Sequence, residues 1–140
     1  MKYLLTLALG LILSSNIWAQ EKADMRRSIQ PDSLATAINT GADSAILILN
    51  TGPVDDILHA INIGAVSEKP NLKKLKKYLK DVPKDKEIVI YCGCCPFATC
   101  PNLDPAYDLL SSMKFENFKI LKLDDDLKMD WIDKGYPMPE

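Results

Sequence analysis

Ile88-Val89-Ile90-Tyr91-Cys92-Gly93-Cys94-Cys95-Pro96-Phe97-Ala98-Thr99-Cys100-Pro101-Asn102-Leu103-Asp104-Pro105 contains three kinds of local structure in a row. The first five residues are β-branched or apolar throughout, the composition of a strand buried on both faces. The glycine, prolines and cysteines that follow cannot sustain a helix or strand and read as a loop. Asp104-Pro105 then has the character of an N-cap followed by proline at the first helical position. It opens a helix whose Ala106, Leu109, Leu110 and Met113 share a face. A buried strand, a loop and a helix in that order form the repeating unit of a parallel α/β sheet.

The flanking sequence repeats the pattern. Pro31-Asp32-Ser33 starts a helix that carries Leu34, Ala35 and Ile38 on one side and ends at Gly41. Ala45–Leu49 is a second continuous apolar run, stopped by Asn50-Thr51-Gly52-Pro53, and Ala60–Ile63 is a short third. From Asn71, the expected N-cap, to Asp81 the spacing predicts a helix with Leu72, Leu75, Tyr78 and Leu79 in one stripe. Lys73, Lys74, Lys76, Lys77 and Lys80 fall on its opposite face. That lysine face reads as solvated surface, because the stripe is needed for the core. Phe118–Leu123 is a further strand, and Asp124–Asp133 is expected to be a short closing helix with the aspartates as its capping turn. The fold class expected is α/β, with a central, mostly parallel sheet and helices on both faces.

The amino terminus has a different character. Lys2, an apolar run from Tyr3 to Leu13 and the small-residue end Trp18-Ala19 follow the order of a secretory signal peptide, so residues 1–19 are expected to be removed on export to the periplasm or medium. Eleven apolar residues as a helix reach only about 16 Å, short of a bilayer core. No stable membrane insertion of the mature chain is therefore expected. Residues 20–27 read as a flexible polar lead-in and residues 28–138 as one domain. The net charge of −2 becomes one unit more negative without Lys2, which argues against a general nucleic-acid binder.

All four cysteines lie between positions 92 and 100. Disulfides used as scaffolding close long loops spread along a chain, so these cysteines read as a site. A thiol where a central parallel strand meets the next helix faces loop N–H groups and the positive helix end. A lowered pKa is therefore expected at Cys92 or Cys94. Cys94, Cys95 and Cys100 are candidates for resolving the Cys92 sulfur or for a loop disulfide. A vicinal Cys94–Cys95 bridge is disfavoured by ring strain. A second reading gives Cys92, Cys94, Cys95 and Cys100 to a soft ion such as Zn²⁺ or Cu⁺, although the C-x-C-C-x4-C spacing lacks the paired C-x2-C of zinc ribbons. Gly93, Phe97, Ala98 and Thr99 are the loop positions expected to line a sulfur substrate. The single histidine, His59, is read as structural, and Trp131 and Tyr136 as packing.

On these residues the chain resembles the rhodanese-like family over residues 28–138. The resemblance rests on four segments in order. They are Ala45–Leu49, Ile57-Leu58-His59-Ala60-Ile61-Asn62-Ile63, Ile88–Cys92, and the closing Trp131-Ile132-Asp133-Lys134-Gly135-Tyr136-Pro137. It implies that Cys92 forms a persulfide and that the reaction is sulfur transfer from a small sulfur compound to a thiol acceptor, with no cofactor. The pattern departs from the family in the loop, which is about twice the usual length and carries no Lys or Arg from Glu87 to Met113. Asn50-Thr51-Gly52 also stands where Asp-x-Arg is usual. The expected activity is therefore an exported sulfurtransferase or persulfide carrier with weak use of thiosulfate. The alternative is a non-catalytic thiol module that binds a soft metal or carries a loop disulfide.

Overall fold

The structure is a computed structural model that describes residues 27–140; the expected signal peptide and nearly all of the lead-in lie outside the described residues. Five strands, β1 (Ser28–Ile29), β2 (Ile46–Asn50), β3 (Ile61–Asn62), β4 (Glu87–Tyr91) and β5 (Phe118–Leu121), form one sheet in the order β1-β5-β4-β2-β3. Every pairing is parallel. Three helices, α1 (Pro31–Thr40), α2 (Lys69–Tyr78) and α3 (Leu103–Ser112), pack on it. This is the α/β class expected from the sequence, and it is consistent with a rhodanese-like fold.

The strand period of two divides the core. Ile88, Ile90 and Cys92 point to the face covered by α2 and α3, where Leu75, Leu79, Leu103, Ala106 and Leu110 close over them. Val89 and Tyr91 point to the other face, against Leu34, Ala35 and Ile38 of α1 and Trp131 near the carboxyl end. Cys92 is thus the last residue of an apolar stripe, with its side chain directed toward the amino end of α3.

Several boundaries differ from the sequence expectation. Ser28–Ile29 pairs with β5 as a fifth strand that two residues could not signal. Arg27, assigned to the flexible lead-in, is held: its carbonyl accepts from Ile120 N at 2.7 Å and its guanidinium lies 4.7 Å from the Phe118 ring centroid. Helix α2 begins at Lys69 rather than at an Asn71 cap, because Pro70 suits the first turn and the Asn71 amide instead donates to Ala65 O at 3.0 Å. Tyr78 leaves the apolar stripe and is exposed. Helix α3 starts at Leu103, so Asp104 lies in its first turn rather than at its cap. The closing helix shrinks to one π-helical turn, Lys128–Ile132. Asp126 Oδ1 accepts from Met129 N and Asp130 Oδ2 from Asp125 N, both at 2.7 Å, so the aspartates at 124–126 form the expected capping turn at the start of this segment and lie outside the helix.

Trp131 is fully buried, donates to Pro137 O at 3.0 Å and meets Tyr136 edge to face, as expected of packing residues. Among the described residues no helix is long and apolar enough to cross a membrane.

Candidate functional site

Three segments build the site at the carboxyl end of the sheet. The first is the β4 loop. Gly93 adopts φ +71°, a conformation that costs other residues about 1 kcal/mol or more, and so reverses the chain immediately after Cys92. Its carbonyl accepts from Leu127 N at 2.9 Å. The reversal returns Cys94, whose Sγ sits 3.1 Å from Cys92 Sγ. Cys95 Sγ lies 3.3 Å and Cys100 Sγ 4.0 Å from Cys94 Sγ. All four cysteines are free thiols, with Cys92 and Cys100 buried, Cys95 half-buried and Cys94 exposed.

The second segment follows β2. Asn50 Oδ1 accepts from Gly52 N at 3.0 Å, while Asn50 Nδ2 donates to Val54 O and Asp56 Oδ1, both at 2.8 Å. Thr51 ties this turn to β4, donating from both N and Oγ1 to Tyr91 O. The turn presses Gly52 onto Cys92 so closely that a Cβ there would sit 2.6 Å from Cys92 Sγ. Only glycine fits that approach.

The third segment is Pro101-Asn102, at the start of α3. Asn102 is buried and bridges two elements. Its Oδ1 accepts from Ser67 N at 2.9 Å, and its Nδ2 donates to Cys92 Sγ at 3.3 Å. Because Ser67 fixes which end of the amide is the acceptor, the NH₂ group is turned to the sulfur. Asn102 stands at the N-cap position of α3, but its side chain makes no capping hydrogen bond and is free for these two contacts.

The thiol electrostatics correct one expectation. Cys94, a candidate for a lowered pKa, is instead pushed up to about 11, chiefly by desolvation. The residue is exposed, but its sulfur is turned inward onto the other thiols. Cys95 is raised by desolvation, and Cys100 is raised well above the ordinary thiol range, first by its hydrogen bond with Cys92 and then by burial. No cation offsets these effects, so the protonated forms are favoured.

The expected substrate-lining residues divide. Phe97 N donates to Leu123 O at 2.9 Å and Thr99 N to Pro96 O at 3.0 Å, so neither amide joins an anion cradle. Phe97–Thr99 form a single 3₁₀ turn, on which Ala98 and Thr99 are exposed. Gly93 does line an open cleft of about 470 Å³ beside Cys94, together with Val54, Asp55, Asp126 and Lys128. Lys128 is engaged by both carboxylate oxygens of Asp133 at 2.8 Å, which leaves Asp55 and Asp126 to set the sign of the cleft. His59 lies away from the thiols, at the amino end of the sheet, where Nδ1 contacts Asp43 Oδ2 at 2.6 Å. Its structural reading fits that position.

Sequence reasoning did not single out Asn102 or Gly52 as site residues. Asn102 carried a usable signal, a capping-type side chain two residues past the last cysteine. Gly52 looked like an ordinary turn residue.

Fold and site together define an all-parallel α/β domain with a thiol cluster at the carboxyl end of its central strands, the usual place for ligands in such sheets. No family model matches the chain, and no curated protein matches it. Among solved structures, the crystal structure of a full-length protein from Lactobacillus plantarum, a Northeast Structural Genomics Consortium target, is similar. It has a TM-score of 0.61 at 16% identity, over 86% of this chain and 93% of that one. At this identity the likeness shows the fold alone.

Proposed function

We propose that this chain is an exported, rhodanese-like persulfide carrier that holds sulfane sulfur on Cys92 and passes it to a thiol acceptor. The observation that carries the reading is the pairing at Cys92 Sγ, with a neutral amide donor from Asn102 at 3.3 Å and a second thiol, Cys94, at 3.1 Å. In the loading step the Cys92 thiolate attacks the outer sulfur of a persulfide or polysulfide. The donor S–S bond breaks, the donor leaves as a thiolate that takes up a proton, and Cys92 becomes Cys92–S–SH. Asn102 Nδ2–H supports the negative charge on sulfur before and after transfer.

Cys94 then has two possible steps. Its thiolate can attack the outer sulfur, which moves the persulfide to the exposed position and restores the Cys92 thiol without net oxidation. Attack on the inner sulfur instead expels hydrosulfide and leaves a Cys92–Cys94 disulfide, which an external thiol must reduce. The high Cys94 pKa keeps both steps slow until an acceptor or a higher pH helps.

The cleft argues for the donor class. Thiosulfate is a dianion, and Asp55 and Asp126 face the approach to Cys94 with Lys128 already paired. Persulfides and polysulfides of lower charge density are the better donors. Export, supported by the order of residues 1–19, places the carrier where unpaired thiols are readily oxidised and a sulfur cap is protective.

The test is whole-protein mass after incubation of the reduced chain with polysulfide, before and after cyanide. Native protein should gain one cyanide-labile sulfur, and Cys92→Ser should gain none. Full loading of Cys92→Ser would move the nucleophile to another cysteine and remove this reading.

A further inference from the structure

The same sulfurs have a second capacity that does not depend on sulfur transfer. Cys92, Cys94 and Cys100 each offer one Sγ, and all three lie within 4.8 Å of one another. With metal–sulfur bonds of about 2.3 Å, three sulfurs around one ion stand about 4.0 Å apart in a plane and about 3.8 Å apart on a tetrahedron. The observed separations of 3.1 Å for Cys92–Cys94 and 4.0 Å for Cys94–Cys100 bracket those values. The third separation, Cys92–Cys100, falls within the same 4.8 Å limit. Cys95 Sγ touches Cys94 Sγ at 3.3 Å but stands outside the mutually close group.

The geometry points to a Cu(I) site formed by the Sγ atoms of Cys92, Cys94 and Cys100. The choice of ion follows from the donor set. It is all sulfur, and no histidine or carboxylate belongs to the mutually close group. Soft thiolates select soft ions, and structural Zn²⁺ takes four ligands in almost every case. Three convergent thiolates therefore suit a monovalent soft ion of low coordination number better than Zn²⁺.

The surroundings favour a cation. The loop has no Lys or Arg from Glu87 to Met113, and Asp55 and Asp126 line the cleft onto which Cys94 opens. Asn102 Nδ2 cannot ligate, because it donates, but it holds Cys92 Sγ in place from outside the metal's own ligands. Binding is a substitution of protons: each thiol that ligates releases one H⁺, and no electron is transferred. Cys94, the exposed member, gives the ion a route in and out.

The experiment is anaerobic titration of the fully reduced, sulfur-free protein with Cu(I), in competition with the chromophoric chelator bicinchoninate, with native mass as a second readout. One copper per chain is expected. Cys94→Ser, a change at an exposed position that leaves the fold intact, should weaken binding by more than the about 10–100-fold typical of losing an outer partner. Asn102→Ala should fall within that range, and Cys95→Ser should bind nearly as the native protein does. Native affinity in Cys94→Ser would overturn the proposal. So would the absence of one-to-one uptake, or a preference for Zn²⁺ that needs Cys95 as a fourth ligand. Sulfur loading is read separately by cyanide-labile mass on metal-free protein, so either property can fail while the other stands.

Discussion

The turn after β2 and the loop after β4 leave neighbouring strands at the same end of the sheet, yet they satisfy their polar groups in opposite ways. After β2, Asn50 uses both ends of its amide, Thr51 uses its N–H and hydroxyl, and Gly52 N is taken by Asn50. After β4, the sulfurs contact mainly each other and one amide from Asn102. Sulfur forms weak hydrogen bonds, so the side chains of the second loop do little to hold it. Its backbone is tied by Leu127 N to Gly93 O and by Phe97 N to Leu123 O, with the first turn beside it and Asn102 beneath it. A fully bonded turn serves as the wall against which a weakly bonded, reactive loop is positioned. Among the described residues no buried side-chain N or O atom lacks a partner.

Gly52→Ala attacks the wall where it touches the contents. The new Cβ would lie 2.6 Å from Cys92 Sγ and 2.8 Å from Cys92 Cα, so the strand end must shift. A stability loss of about 2–3 kcal/mol is expected from overpacking of this kind, measured by urea unfolding. Cyanide-labile sulfur should disappear with it. Retention of both would show that the two segments do not depend on each other.

Asn50→Ala is the intermediate case. It removes no atom from the thiol cluster but orphans Gly52 N and Val54 O and leaves Asp56 Oδ1 with only the Asn62 amide as donor. A cost of about 1–2 kcal/mol is expected for these unmet groups, and Cys92 should become more accessible to a disulfide reagent in the native state. Unchanged Cys92 reactivity would mean that Thr51 alone holds the turn.

The smallest effect lies in the weakly bonded loop itself. Alkylation of Cys94 should rise with a midpoint near pH 11 rather than 9, because its pKa is raised from 9.0 to about 11. The folded state favours the protonated thiol, so its contribution to stability is fully present below pH 9 and is lost as pH rises toward 11. A midpoint at or below 9 would show that the Cys94 sulfur is solvated rather than turned inward.

Much of this molecule follows from its linear pattern. Apolar runs at Ala45–Leu49, Ile88–Tyr91 and Phe118–Leu121, with helices between them, suffice for a parallel α/β sheet, because strand period and buried length are local properties. The same pattern places Cys92 at a strand end and the other thiols in one loop. The remaining features came from contacts between segments far apart in sequence. The two residues of β1 form a strand only because β5 offers an unpaired edge. Gly52 matters only because Cys92 lies against it, 40 residues away, and Asn102 becomes an amide donor to sulfur only because Ser67 fixes its orientation. Spacing suggested an activated Cys94, whereas folding turned its sulfur in among other thiols, away from water, and raised its pKa. Strand and helix formation depends on neighbours in sequence; the polarity around a thiol depends on neighbours in space, and these exist only once the chain has folded.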